Sequence, residues 1–171
     1  MQFNFTDEQE QFRAVVQRFV RDKSPTTEVR RLMQTAEGFD REVWRQLCED
    51  LGLAGLHVPE AYGGAGFGFV EVGIVNEEMG RSLLCSPYFG SSILATSAIV
   101  HGASETQKRD LLPSLVSGKK IACLALAEAS GHWNSDSIEL TAAQSGRGFV
   151  LNGQKKFVLD GHTADLVIVA A

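Results

Sequence analysis

Apolar residues recur with a helical spacing in the first two-thirds of the chain. The first apolar stripe consists of Phe12, Val15, Val16, Phe19 and Val20. Its i, i+3, i+4, i+7, i+8 spacing places these side chains on one face of a helix. Thr6 and Gln9 precede the stripe as a capping box, in which each side chain bonds the backbone N–H of the other residue. Ser24-Pro25 predicts the end of this helix, because a residue before proline avoids the helical conformation.

A second helix is predicted to begin at Asp40, whose side chain suits an N-cap. Its inward stripe consists of Val43, Trp44, Leu47, Cys48 and Leu51. Gly52 follows the last apolar position, where a left-handed residue usually ends a helix.

Three further helices follow. One is predicted from Phe69 to Arg81, and the next runs through SSILATSAIV and ends near Gly102. Ser104-Glu-Thr-Gln107 is a second capping box that opens a leucine-rich helix, and Gly118 lies where this helix should end.

From Lys120 onward the apolar runs become short and are separated by turn residues. These runs are KIACLALA, IELTAAQ, GFVLNG, QKKFVLDG and ADLVIVAA. Their pattern predicts strands, and Asn152-Gly153 is the strongest hairpin signal among them. The sequence therefore predicts an α+β fold, with an all-α helical bundle over residues 1–119. Residues 120–171 are predicted to begin an antiparallel β-barrel or sandwich domain.

Composition narrows the class of protein. Of 171 residues, 44% are hydrophobic, which suits a globular core, and the net charge of −5 argues against a nucleic-acid surface. No stretch reaches the ~20 apolar residues of a membrane span, and the acidic N-terminus does not read as a secretory signal. The three cysteines are far apart and lie in apolar runs, which favours buried thiols in a reducing compartment. We expect a cytoplasmic protein.

The helical part offers few candidates for chemistry. The stretch HVPEAYGGAGFG, residues 57–68, lacks the strand–helix context of a nucleotide fingerprint, so we interpret it as a tight connector. His57 lies between apolar residues, which favours a structural histidine over a general base. Adjacent helical residues do not face one another, so Glu77 and Glu78 are not an acid–base pair. The histidines share no ligand spacing, and we assign no catalytic residue and no metal ligand.

The segment ALAEASGHWNSDS, residues 125–137, changes abruptly from apolar to small and polar residues. A loop at the end of a strand can offer backbone N–H groups to a planar heterocycle or a phosphate. Residue types alone favour a simple β-turn, and both interpretations stay open.

Three long segments together resemble one enzyme family. They are LGLAGLHVPEAYGGAGFGFVEVGIVNEEMGR, ASETQKRDLLPSLVSGKKIACLALAE and LNGQKKFVLDGHTADLVIVAA, and they follow an acidic N-terminal helix. In this order they resemble the N-terminal part of an acyl-CoA dehydrogenase. The resemblance implies a helical domain, a middle β-domain and a C-terminal four-helix domain. This chain would contain the first, about half of the second and none of the third.

The resemblance also implies a reaction. Family members hold FAD between the β-domain and the C-terminal helices, usually in a dimer of dimers, homo- or hetero-oligomeric. They remove the α-hydrogen of an acyl-CoA as a proton and pass the β-hydrogen to the flavin as hydride, and electron-transfer flavoprotein is the expected acceptor. The base is usually a glutamate of the C-terminal domain, so the chain by itself is expected to be inactive.

Two segments match the flavin strands of the family. Leu126, Ala127 and Glu128 occupy the end of the first, and Phe157, Val158 and Leu159 occupy the second. By resemblance these six residues bind the cofactor: Phe157 packs its ring beside the isoalloxazine, and the backbone at 126–127 and 158–159 meets its polar edge. Ser135 is expected near the phosphates of CoA or flavin, as a substrate-binding residue.

Two departures from the family pattern leave alternatives open. Ala127 and Leu159 stand where family members usually have threonines that bond the flavin. Each lost neutral hydrogen bond is worth about 0.5–1.5 kcal/mol, too little to abolish binding of a large cofactor. A non-catalytic scaffold subunit of a hetero-oligomeric dehydrogenase is one alternative. A flavin oxidase or monooxygenase of the same fold is another.

Overall fold

The computed structural model describes residues 4–171. Its helices are α1 (Asp7–Lys23), α2 (Thr26–Leu32), α3 (Arg41–Arg45), α4 (Phe69–Arg81), α5 (Thr96–Gly102) and α6 (Glu105–Val116). A π-helical turn (Gln46–Asp50) continues α3, and a π-helical segment (Tyr88–Ala95) leads into α5. Short 3-10 turns cover Leu53–Gly55, Glu60–Tyr62 and Ser135–Ser137. The strands are β1 (Ala122–Ala125), β2 (Ala142–Ser145), β3 (Gly148–Leu151) and β4 (Leu166–Val169).

Local signals set the helix ends as predicted. Thr6 Oγ1 accepts a hydrogen bond from the Gln9 N–H at 3.2 Å, and Gln9 Oε1 accepts one from the Thr6 N–H at 3.0 Å. Ser104 and Gln107 form the same reciprocal pair ahead of α6. Asp40 caps α3, and Gly52 and Gly118 adopt left-handed φ values of 65° and 69°. Both capping boxes and the bounds of α4 are confirmed.

The helices bury two apolar clusters. The larger one contains Val16 and Val20 of α1 together with Trp44, Leu47 and Val75. The buried face of α1 is narrower than the stripe predicted from the spacing, because Val15 is half-exposed.

A glycine-rich connector joins the helices before α4, as predicted. Gly63 and Gly66 adopt positive φ values of 87° and 67°. A side chain on Gly64 would collide with the carbonyl oxygen of Val58. Within residues 4–171, no helix is both long enough and apolar enough to cross a membrane.

The sheet part confirms the predicted α+β class and adds one parallel pair. β2 and β3 form an antiparallel hairpin in which Ala142 faces Leu151 and Ser145 faces Gly148. β1 pairs with β4 in parallel, from Ala122 opposite Leu166 to Ala125 opposite Val169.

Two local predictions in this region are wrong. The hairpin turns at Gly146-Arg147 and not at Asn152-Gly153, which follows β3 without joining it to a strand. QKKFVLDG does not form a strand, so Phe157, Val158 and Leu159 do not lie on a flavin-facing strand. Phe157 and Asp160 have φ values of 55° and 56°, which are incompatible with an extended chain.

β1 packs against the helical part, whereas the β2–β3 hairpin does not. The Ala122 N–H donates to Ser91 Oγ of the π-helical segment at 3.0 Å, and Ala122 packs in a cluster with Ile99, Leu112 and Leu115. Residues 141–154, which include β2 and β3, are exposed throughout.

Candidate cofactor-binding site

The first predicted segment, residues 126–128, follows β1 directly. The Leu126 carbonyl accepts a hydrogen bond from Lys155 Nζ at 3.1 Å. The Ala127 carbonyl accepts one from the Lys156 N–H at 2.8 Å. Ala127 is buried, and Leu126 and Glu128 are half-buried. The chain then turns, since the Gly131 N–H donates to the Glu128 carbonyl at 3.0 Å.

The second predicted segment, residues 157–159, is a turn. Its side chains are alternately exposed and half-buried. Phe157 is 71% exposed and Leu159 is 43% exposed. Val158 points the other way and lines an apolar groove of about 550 Å³ between β1, β4 and the residues after β3. Phe157 therefore offers an open aromatic face, although its backbone is not that of a strand.

The fold brings these two segments together. Their backbones are joined by the Lys156–Ala127 hydrogen bond, and a Cβ added to Gly131 would lie 3.9 Å from Cε2 of the Phe157 ring. Residues that are about thirty positions apart in sequence thus lie side by side.

Backbone donors are available at this surface. Within residues 4–171, the N–H groups of residues 126–128 and of residues 157–159 have no hydrogen-bond acceptor. Free backbone donors beside an exposed aromatic ring suit a planar ligand with a polar edge. The chemistry of these groups is compatible with the isoalloxazine of FAD.

The carboxylate of Glu128 is bonded within the chain. Its carboxylate accepts hydrogen bonds from Lys155 Nζ at 2.6 Å and from the N–H groups of Glu139 and Leu140 at 3.0 Å each. The hydrogen bond from Lys155, followed by that from the Leu140 N–H, lowers the pKa of Glu128. Its carboxylate is therefore an ionised structural acceptor.

Lys155 is the site residue that sequence reasoning missed. Its side chain is only 7% exposed, which is rare for lysine unless a carboxylate pairs with it. No local pattern singles it out, because the run QKKFVLDG that contains Lys155 is not a strand.

Ser135 lies in the loop that follows the first segment, and it is exposed. Its hydroxyl donates to Asp136 Oδ1 at 3.2 Å, at the start of the short 3-10 turn. A polar cleft of about 340 Å³ nearby is lined by Ser130 and Ser137, together with Glu128 and Lys156. Ser130 and Ser137 line this cleft, whereas Ser135 does not.

Asp160 anchors the second segment to the helical part. A Cβ added to Gly90 of the π-helical segment would lie 2.5 Å from Asp160 Oδ2, so the two residues are in close contact. Burial raises the pKa of Asp160, and the nearby His162 opposes this effect. The Asp160 carbonyl accepts from both the N–H and the hydroxyl of Thr163, which closes the turn.

The remaining ionisable candidates are structural. His57 Nε2 lies 3.2 Å from Ser97 Oγ, and burial, with a smaller contribution from His101, lowers the pKa of His57. Glu77 is half-exposed, whereas Glu78 is 1% exposed, and both carboxylates bond Arg13 Nη1. The contact of His57 with Ser97 and the bonds of both glutamates to Arg13 agree with structural roles for these side chains.

Comparison with known proteins identifies the class. A sequence model of the family described as acyl-CoA dehydrogenase, N-terminal domain, matches residues 6–119. The bovine mitochondrial isovaleryl-CoA dehydrogenase is 36% identical over 168 residues, which cover 96% of this chain. The chain therefore belongs to the acyl-CoA dehydrogenase family.

Solved structures share the fold. The ChsE4–ChsE5 complex from Mycobacterium tuberculosis matches 100% of the chain at 32% identity with a TM-score of 0.87, over 45% of the compared chain. An acyl-CoA dehydrogenase complexed with FAD from Bacillus anthracis matches 98% of the chain at 28% identity with a TM-score of 0.85, over 29% of its own length. The chain spans 39% of the bovine relative.

Proposed function

We propose that this chain is the N-terminal part of an FAD-dependent acyl-CoA dehydrogenase. The observation that carries the proposal is the convergence of residues 126–128 and 157–159 around backbone donors that lack acceptors. The family membership and the FAD complex of the Bacillus anthracis relative support it.

In this proposal, the backbone of Leu126, Ala127 and Glu128 and that of Val158 and Leu159 hold the polar edge of the isoalloxazine. Phe157 packs beside the ring and excludes water from one side. Bound there, FAD supplies an acceptor for the hydride that leaves the β-carbon of an acyl-CoA thioester. The polar cleft beside the loop at 129–137 receives phosphate or thioester groups of the substrate.

Glu128 and Glu78 are not available to take the α-proton. Glu128 bonds Lys155, and Glu78 is buried against Arg13 in the helical part. We propose that the catalytic base is a glutamate of the C-terminal domain, as the family resemblance implies. We also propose an oligomer built as a dimer of dimers, with electron-transfer flavoprotein as acceptor. The free thiols of Cys48, Cys85 and Cys123 suit a reducing compartment such as the cytoplasm.

The test uses protein expressed from its complete reading frame. Titration of the apoprotein with FAD, followed by flavin fluorescence, should show saturable binding, and anaerobic addition of acyl-CoA should bleach the bound flavin. Phe157→Ala should weaken FAD binding, because the ring contact is lost. Phe149→Ala is the matched control, since Phe149 is 69% exposed on β3 and outside the site. Absence of FAD binding, also after coexpression with a homologous subunit, would refute the proposal.

A specific observation favours a second candidate, a subunit that completes the site of a partner. Ala127 and Leu159 provide no hydroxyl to a flavin, and the ChsE4–ChsE5 structure is a complex of two different chains. For this candidate, FAD binds only after coexpression with the partner. Leu159→Thr adds one hydroxyl and should tighten FAD binding by about two- to tenfold if this chain contacts the flavin itself.

A further inference from the structure

Lys155 and Glu128 form the most buried ion pair close to the candidate site. Lys155 Nζ and Glu128 Oε1 are 2.6 Å apart, and their side chains are 7% and 12% exposed. Neither group is satisfied by the pair alone. Lys155 also donates to the Leu126 carbonyl, and Glu128 also accepts from the N–H groups of Glu139 and Leu140.

Three separate chain segments meet at this pair. They are the end of β1 at 126–128, the approach to β2 at 139–140, and residue 155 after the hairpin. Because burying two charges costs about as much desolvation energy as their attraction returns, such a pair contributes little net stability. A buried pair with well-placed hydrogen bonds does, however, fix the relative positions of the groups that it joins.

The pair constrains where one backbone donor points. Peptide bonds in this region are trans, so the C=O of one residue and the N–H of the next point in opposite directions. Lys155 Nζ donates to the Leu126 carbonyl, and the Ala127 N–H therefore points away from Lys155. The Glu128 N–H is oriented by a different bond, from the Lys156 N–H to the Ala127 carbonyl, in which the pair takes no part. These two N–H groups are among the donors without an acceptor within residues 4–171.

We infer that Lys155 and Glu128 are positioning residues that aim the Ala127 N–H group at the polar edge of the bound flavin. This inference rests on the proposed function. It places the contribution of the Glu128 side chain in its bond to Lys155, rather than in a contact of its carboxylate with the cofactor. It assigns the buried ammonium of Lys155 a role that no local sequence motif indicates.

Flavin properties provide a readout that a purely structural role would not change. A hydrogen bond to the ring strengthens as the ring gains electrons, so correctly aimed N–H donors favour the reduced flavin. If the donors turn away, the bound flavin becomes harder to reduce. The expected signature is a more negative midpoint potential at saturating FAD, together with a weaker affinity.

The experiment compares Lys155→Met and Glu128→Gln in protein expressed from the complete reading frame. Each variant should raise the Kd for FAD about tenfold, which corresponds to one or two lost hydrogen bonds, and should make the midpoint potential more negative. Lys119→Met is the matched control, since Lys119 is exposed at the end of the helical part. It should leave both quantities unchanged.

The outcomes separate the two proposals. If the unchanged protein does not bind FAD, the proposed function fails. If it binds FAD, and the near-isosteric Glu128→Gln keeps the wild-type Kd and midpoint potential, the positioning role is wrong. If Lys155→Met does not fold, Glu128→Gln and Lys155→Arg test the positioning role instead. Lys155→Arg keeps the charge and a donor for Leu126, and it should bind FAD more tightly than Glu128→Gln.

Discussion

Gly64 and Gly73 are the same amino acid in opposite environments. Gly64 lies in the connector before α4, where an added Cβ would overlap the backbone carbonyl of Val58. Gly73 lies on the exposed side of α4, and an added Cβ would meet no atom within 4 Å. The difference comes from the contact of Gly64 with the Val58 backbone, which has no counterpart at Gly73.

We predict that Gly64→Ala lowers the free energy of unfolding by about 3 kcal/mol, because the backbone of Val58 must move. Gly73→Ala should instead raise it by about 1 kcal/mol, since alanine is the better helix former. Urea unfolding of both variants measures the two effects. Equal shifts of the urea midpoint in the same direction would contradict the predicted geometry.

At the scale of elements, α1 and α4 are held side by side by polar bonds as well as by apolar packing. Gln9 Nε2 donates to Glu71 Oε1 at 2.8 Å, and Arg13 bonds Glu77 and Glu78 one to two turns further along. Gln17 Nε2 lies 3.4 Å from Glu78 Oε2. The helices therefore run in the same direction, with a buried glutamate at the centre of their contact.

Arg13→Met should lower the free energy of unfolding by about 3 kcal/mol, because it leaves the buried carboxylate of Glu78 without its closest cation. Arg81 remains 3.4 Å from Glu78, which places the cost at the lower end of the range for buried pairs. Arg45→Met is the control. Arg45 pairs with exposed Glu42 and Glu49, so its loss should cost about 1 kcal/mol or less. Thermal or urea unfolding measures both variants. If they lower the free energy of unfolding equally, the buried carboxylate of Glu78 does not depend on Arg13.

At the scale of the whole molecule, stability is unevenly distributed. β1 packs against the helical part, and its residues Ala122 and Cys123 are fully buried. The β2–β3 hairpin has both faces exposed, including Phe149, Val150 and Leu151. A two-stranded hairpin without a packed face is marginal in water.

Hydrogen exchange should reveal this division in the 171-residue chain. Amides of β2 and β3 should open with free energies within about 2 kcal/mol of zero, whereas those of β1 should approach the global free energy of unfolding. Exchange followed by NMR or mass spectrometry measures both regions in one sample. Protection of β2 equal to that of β1 would show that the hairpin is packed in solution.

Local chemistry in the sequence determined the helical half of the molecule. A capping box acts within four residues, so Thr6–Gln9 and Ser104–Gln107 set helix starts without tertiary help. The same holds for the helix ends at Gly52 and Gly118, because a left-handed residue is a local requirement. The order of the family segments likewise identified the two segments that border the candidate site.

Tertiary structure alone decided how that site is built. Asn152-Gly153 has the residue types of a hairpin turn, but the strands pair across Gly146-Arg147, because pairing depends on which chains meet. Phe157 belongs to an apolar run, but the contact of Asp160 with Gly90 and the bond from Lys156 to Ala127 hold the segment in a turn. The buried contact of Lys155 with Glu128 spans 27 residues. Spacing rules describe residues that are a few positions apart. They therefore cannot identify the partner of a buried charge, which depends on the tertiary fold.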